Sequence, residues 1–286
     1  MATHIIDERL KIYATNTVED EEHALKEILQ EVALYGLASA NFFDKAIFHG
    51  GTALRILYQL PRFSEDLDFL LKNPNPHFKW EPYIDAIIDT CKQFGVHPKV
   101  TDKSRLNNTV KKIFLKDDSI GKIIDLSFSH HPGKKLSIKF EIDTNPPLGS
   151  NVDVKFLEFP LDYSLVAQDL SSSFAGKCHA LLCREYIKGR DWYDFTWYVA
   201  RKIPPNFIFL ENALHQQGPW ANKKITVTPR WFIESIQEKI KSIDWNKAAN
   251  DVAPFLNTQD KKTLNLWGVD FFMDKIDKLK NILNNV

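Results

Sequence analysis

The chain has 286 residues, 44% hydrophobic and 26% charged, which fits a globular protein with a substantial core and room for two domains. Its 37 Lys and Arg residues cancel 37 Asp and Glu, so net charge speaks neither for nor against a nucleic-acid partner and only local patches can. No run approaches the roughly 18 apolar residues of a membrane helix. The N-terminal MATHIIDERLKIY lacks a signal-peptide core, and Cys91, Cys178 and Cys183 show no zinc spacing, so reduced thiols in a cytoplasmic protein are expected.

Thr17, followed by Glu19, Asp20, Glu21 and Glu22, has the pattern of a helix start, and Leu25, Ile28, Leu29, Val32 and Leu37 continue it to about Asn41. Lys45 to His49 reads as a short strand that Gly50 and Gly51 turn into a helix over Thr52 to Leu60, stopped by Pro61. Arg62 to Leu71 reads as a second strand. In it Asp66 and Asp68 alternate with Leu67 and Phe69, so both carboxylates share a face while their neighbours enter a core. Two like charges held that close are costly unless a cation lies between them. Hard divalent ions such as Mg²⁺ take oxygen ligands, and the upstream glycines let backbone amides approach a phosphate. Phe48 to Leu71 therefore reads as a metal-dependent nucleotide site.

Asn73 to His77 is expected to be a loop and Tyr83 to Phe94 a helix ended by Gly95. Val96–Asp102, Thr109–Leu115, Lys122–Phe128, Leu136–Asp143 and Val152–Phe159 are alternating or β-branched runs, expected to extend the sheet in a mostly antiparallel way. On the Leu136–Asp143 run, Glu141 and Asp143 share a face. A two-metal site calls for a third carboxylate on a neighbouring strand, for which Asp143 is the better candidate and Asp125 a weaker one; a solvated strand face accounts for the pattern equally well.

A soft boundary falls between Leu161 and Ser171, giving an α/β domain over 1–165 and a helical domain over 166–286. A serine-capped helix carries Lys177 and Arg184 on one face, Gly189 can end it, and Asp191 and Asp194 share a face early in the next helix. Helix capping with surface ion pairs is the plain explanation. The functional one has Lys177 reaching nucleotide phosphates with Asp191 ordering it. Further on, Trp231, Ile236, Ile240, Leu264, Trp267, Phe271, Ile276 and Leu279 keep helical spacing, as a packed helical domain requires, and the His130–His131 pair has no metal-ligand pattern.

Taken in order, GGTALR, RFSEDLDF, EIDTNPP, GKCHALLCR and GRDWYDF resemble the AbiEii/AbiGii toxin family of nucleotidyltransferases, within the polymerase-β-like superfamily, over about Lys45 to Val199. The resemblance implies an α+β fold: a nucleotidyltransferase-type mixed sheet with flanking helices, then a C-terminal helical domain. It also implies transfer of a nucleoside monophosphate from an NTP to an acceptor hydroxyl, with pyrophosphate released. Asp66, Asp68 and Asp143 would hold Mg²⁺, with Mn²⁺ as a substitute; Gly50, Gly51, Thr52 and Ser64 would cradle the NTP. Lys177 matches the family's helix lysine and Asp191 its later aspartate, both serving the cleft, with Asp194 as support. Thr52 stands where the superfamily commonly has a serine, which leaves the phosphate contact open.

The implied acceptor is RNA, chiefly the tRNA 3′ end, and the implied partner is an antitoxin that need not bind directly. Lys111, Lys112, Lys134, Lys135, Lys139, Arg201, Lys202, Lys223, Lys224 and Arg230, with Trp220 and Trp231, could supply phosphate contacts and stacking, though scattered lysines are more often a solvated surface. A protein or small-molecule acceptor, or a non-catalytic nucleotide-binding module, stays open.

Overall fold

The computed structural model describes residues 2–105, 108–120, 126, 128 and 135–284. Contacts divide the chain into one unit of Met1–Gln59, Phe63–Pro146 and Asp153–Ala167, and another of Leu60–Arg62, Pro147–Val152 and Gln168–Val286. Apart from Leu126 and Phe128, the expected strand at 122–128 lies outside the described residues, as do Asp125, His130, His131 and Lys134.

The first unit opens with helices α1 (Ala2–Lys11) and α2 (Val18–Ser39). The Thr17 hydroxyl accepts from the Asp20 amide at 3.1 Å and fills the first turn's vacant acceptor role, as its sequence predicts. Arg9 Nε donates to Glu31 at 3.0 Å and the Tyr13 hydroxyl to Glu27 at 3.1 Å, which ties α1 and the turn after it to α2. Burial pushes the Glu31 carboxyl up to about 7, with Arg9 opposing the shift. There follow β1 (Ala46–His49), α3 (Gly50–Tyr58), β2 (Asp66–Leu71), α4 (Glu81–Gln93), β3 (Lys99–Asp102), β4 (Val110–Asp117), β5 (Leu136–Asp143), β6 (Val152–Leu157) and β7 (Tyr163–Gln168).

The strands form one mixed sheet in the order β3-β4-β5-β2-β1-β7-β6. Its β3-β4-β5 end is antiparallel as expected, but β2 pairs parallel with β5, and β1 with β7. The first unit's core is built on one side of this sheet. Leu67, Phe69, Ile138, Phe140, Ile142, Ile113 and Leu115 are all buried, and Phe42, stacked on Trp80 at 5.6 Å, closes an aromatic cluster with Phe69. Helices α2 and α4 meet at Gly36, where an added Cβ would lie 3.0 Å from the Thr90 hydroxyl oxygen.

The second unit is helical in its regular part: α5 (Leu170–Cys183), α6 (Gly189–Ala200), α7 (Phe207–Gln216), α8 (Pro229–Lys241), α9 (Trp245–Val252), α10 (Thr258–Lys261) and α11 (Val269–Leu283). Asp169 rather than a serine caps α5, accepting from Ser172 N at 2.8 Å. Gly189 begins α6 instead of ending α5, and the position demands glycine because a Cβ there would lie 1.7 Å from the Ala248 carbonyl of α9. Trp192, Trp245 and Phe272 fuse α6, α9 and α11, with Trp245 stacked on Phe272 at 3.9 Å. The spacing around Ile236, Ile240, Ile276 and Leu279 thus does reflect a buried helical core. Among the described residues no helix is long and apolar enough to cross a membrane.

Candidate active site

Side chains alternate along a strand, so what faces away from the first unit's core is set by register. Parallel pairing aligns Asp66 with Lys139, Asp68 with Glu141 and Leu70 with Asp143, and antiparallel pairing aligns His49 with Asp68. One sheet face therefore presents Asp66, Asp68, Glu141 and Asp143, bordered by His49 and by Lys112, which pairs with Glu141. Glu141 stands directly beside Asp68. Asp143 lies one rung further on, where it accepts from Asn145 N at 2.9 Å.

A cation already bridges part of this face. Lys139 Nζ lies 2.9 Å from Glu141 Oε2 and 3.2 Å from Asp66 Oδ2. Partial burial would lower its pKa, but the Glu141 hydrogen bond and the Asp66 charge raise it, so the ammonium stays charged. Burial raises the Asp143 carboxyl, with the Asn145 amide opposing. The ligating oxygens of Asp66, Asp68 and Asp143 do not form a cluster within 4.8 Å of one another; among the described residues only His4, Asp7 and Glu8 do so, on exposed α1.

The glycine turn abuts the acids. Gly50 has φ +81°, and a Cβ there would lie 2.5 Å from Asp68 Oδ2, so both conformation and space demand glycine. Gly50, Gly51 and Thr52 are the first three residues of α3, where helix amides have no intrahelical acceptor. Thr52 is buried and its hydroxyl donates to the Asp66 carbonyl, a bond that fastens α3 to β2. The Ser64 carbonyl accepts from Gln30 Nε2 of α2 at 3.1 Å, just before β2 begins.

The predicted residues of the second unit meet in a separate ion network. Lys177 Nζ lies 2.7 Å from Asp191 Oδ1 and 2.8 Å from Asp194 Oδ2, and Arg184 Nε lies 2.9 Å from Asp191 Oδ2. Asp194 also takes both nitrogens of an Arg62 fork, at 2.6 and 2.7 Å. Both aspartates and Arg62 are buried. Burial would raise Asp191, but Lys177, then Arg184 and Lys188, hold it down at about 2; Asp194 is lowered against its own burial by Arg62 and Lys177. Lys177 is raised against burial by the two aspartates, whereas Lys188 is lowered by burial. The surface ion pairs expected from spacing are thus an interior network. Arg62, which sequence assigns to the acidic strand, is its unforeseen member.

Two lysines leave the candidate RNA surface. Lys111 is buried, its ammonium 2.6 Å from the Arg105 carbonyl, and Lys139 is committed to the acidic face. Trp220 and Trp231 contact each other edge to face at 5.4 Å.

A family model described as Nucleotidyl transferase AbiEii toxin, Type IV TA system, matches residues 32–275. The fold is similar to JHP933 from Helicobacter pylori, with TM-score 0.50, 15% identity and 93% of each chain covered. It is also similar to MenT4, the nucleotidyltransferase toxin Rv2826c from Mycobacterium tuberculosis H37Rv, with TM-score 0.47, 14% identity, and 98% of this chain and 99% of that one covered. No curated protein matches the sequence.

Proposed function

Because the chain belongs to the AbiEii nucleotidyltransferase toxin family, we propose that it moves a nucleoside monophosphate from an NTP to an RNA hydroxyl, chiefly at a tRNA 3′ end, in the cytoplasm. The observation that carries this reading is the register that aligns Asp66, Asp68 and Glu141 on one face beside the Gly50 turn.

The donor set suits Mg²⁺ or Mn²⁺: it is all oxygen, and its carboxylates already gather a positive charge, the Lys139 ammonium. Asp66 and Asp68 would hold the metal. Of the two acids on β5, register favours Glu141 as the third ligand, with Asp143 the second candidate. When bound, such an ion neutralises phosphate charge and lowers the pKa of the acceptor hydroxyl. In the transfer the acceptor oxygen forms a bond to the α-phosphorus and the bond to the bridging oxygen of the β-phosphate breaks. Pyrophosphate leaves with that electron pair, and the hydroxyl proton passes to a carboxylate of the face or to water.

The amides of Gly50, Gly51 and Thr52 would cradle phosphates at the positive end of α3. Thr52 acts through its amide, since its hydroxyl serves Asp66. Ser64, placed at the entry to β2, would complete the nucleotide contact. The assignment of Lys177 to the phosphates, ordered by Asp191, draws support from charge. Arg62, Lys177, Arg184 and Lys188 outnumber Asp191 and Asp194, and an ammonium has three donors of which the aspartates use two. The remaining patch residues Lys112, Lys135, Arg201, Lys202, Lys223, Lys224 and Arg230 are candidates for the RNA backbone, and a cognate antitoxin, which need not bind the chain directly, would oppose the activity.

The test is incubation of purified protein with each labelled NTP, Mg²⁺, total RNA and lysate protein. Label on small RNA that is lost with Asp68→Asn supports the reading. Label only on protein or on a small molecule overturns the RNA acceptor, and no label with any acceptor overturns the transferase.

A further inference from the structure

Strand β6 ends the sheet, and its free side is not paired to another strand among the described residues. Its sequence, Val-Asp-Val-Lys-Phe-Leu, puts Val152, Val154 and Phe156 on one face. They are 46%, 70% and 77% exposed, a row of apolar side chains that a solvated edge does not require. The opposite face carries Asp153 and Lys155, which pair with each other at 3.2 Å, and Lys155 also lies over the Tyr58 ring. Edge strands of this kind template pairing with a further strand unless something blocks them.

The backbone shows which residues could pair. The Asn151 carbonyl accepts from Asp169 N, on the β7 side, at 3.1 Å. Amide and carbonyl of a strand residue point to the same side, and successive residues alternate, so Val152, Val154 and Phe156 turn theirs to the open edge.

We propose that β6 is a self-pairing edge that joins two copies of this chain antiparallel about a two-fold axis at Val154. In that register Val154 meets Val154 of the second copy and Val152 meets Phe156, with about six backbone hydrogen bonds between the strands. Asp153 of each copy then faces Lys155 of the other. Charge selects this register: a shift of the axis to residue 153 opposes two aspartates, and a shift to 155 opposes two lysines, both unfavourable across a strand pair. A pairing of odd register would set Val154 against a charged side chain. The strand is thus complementary to its own inverse, which is what an isologous interface requires. A single strand pair buries less than the 1,200–2,000 Å² or so of a standard interface, so the dimer is weak and concentration-dependent.

Sedimentation analysis of the full chain from micromolar to sub-millimolar concentration reads the mass directly. The expected result is a shift from the 33.1 kDa of one chain towards twice that value. Lys155→Asp sets aspartate against aspartate across the pair and is expected to hold the chain at single mass. The double variant Asp153→Lys with Lys155→Asp restores opposite charges in the same register and is expected to regain the dimer, which separates pairing from misfolding. A single-chain mass at every concentration overturns the proposal and leaves this edge to a strand of another protein. A dimer unchanged by Lys155→Asp overturns it as well, because association would then use another surface.

Discussion

The acidic face of the sheet and the ion network of the helical unit use the same residue types to opposite ends. On the sheet the carboxylates are only half-buried; Lys139 meets Asp66 and Glu141, and Asp68 and Asp143 share their face. In the network, cations exceed carboxylates, and Asp191 and Asp194 are buried under Lys177, Arg184 and Arg62. A half-buried carboxylate keeps part of its hydration, whereas a fully buried charge must be matched within the protein. The first region therefore suits the proposed chemistry, whereas the second is first a structural lock.

Substitutions should separate the two. Asp194→Ala leaves Arg62 and Lys177 short of their shared partner in the interior and is expected to cost about 3–5 kcal/mol, read as a lowered urea midpoint. Asp68→Asn should keep a cooperative melting transition yet lower the proposed nucleotidyl transfer by about 10²–10³-fold, since it removes a charge that the proposed site relies on. Equal loss of stability in both variants would erase the difference between the two regions. Gly50→Ala combines a positive φ with a clash against Asp68 and should cost about 1–3 kcal/mol, with activity falling further than stability.

The two units also carry pH responses of opposite sign. Asp191 is depressed from 3.8 to about 2, so its contribution is present above 3.8 and lost as pH falls towards 2, at about 2 kcal/mol. Glu31 is raised from 4.5 to about 7, so its contribution is present below 4.5 and lost as pH rises through 7. Glu31→Gln should flatten the stability profile between those values, measured by urea denaturation across pH; an unchanged slope would assign it to another group.

Period-two alternation made Asp66 and Asp68 legible, and the glycine pair before them was legible from its backbone freedom. The choice between Glu141 and Asp143 was not, because both share a face and only the β2–β5 register tells which stands beside Asp68. Strand β7 was missed although Tyr163, Leu165 and Ala167 alternate inward, because the domain boundary was placed across it. Its absence also hid the parallel pairing with β1, and crossovers leave no local periodic signal. Helix spacing could group Lys177 with Arg184 and Asp191 with Asp194, and the family motifs brought Lys177 and Asp191 together. Arg62 could not, since 132 residues separate it from Asp194 and nothing near it in sequence signals the contact.

The parallel pairings have a consequence for how the protein comes into being. Asp66 and Asp68 leave the ribosome early, but their neighbour β5 ends at Asp143, and the strand beside β1 ends at Gln168. Closing such distant segments carries a loop-entropy cost that local structure cannot offset. A nascent chain holding both aspartates still has no assembled acidic face, and a truncated product ending before β5 cannot acquire one. Synthesis therefore has to pass β5 and β7 before the acidic face and the strand beside β1 can be in place.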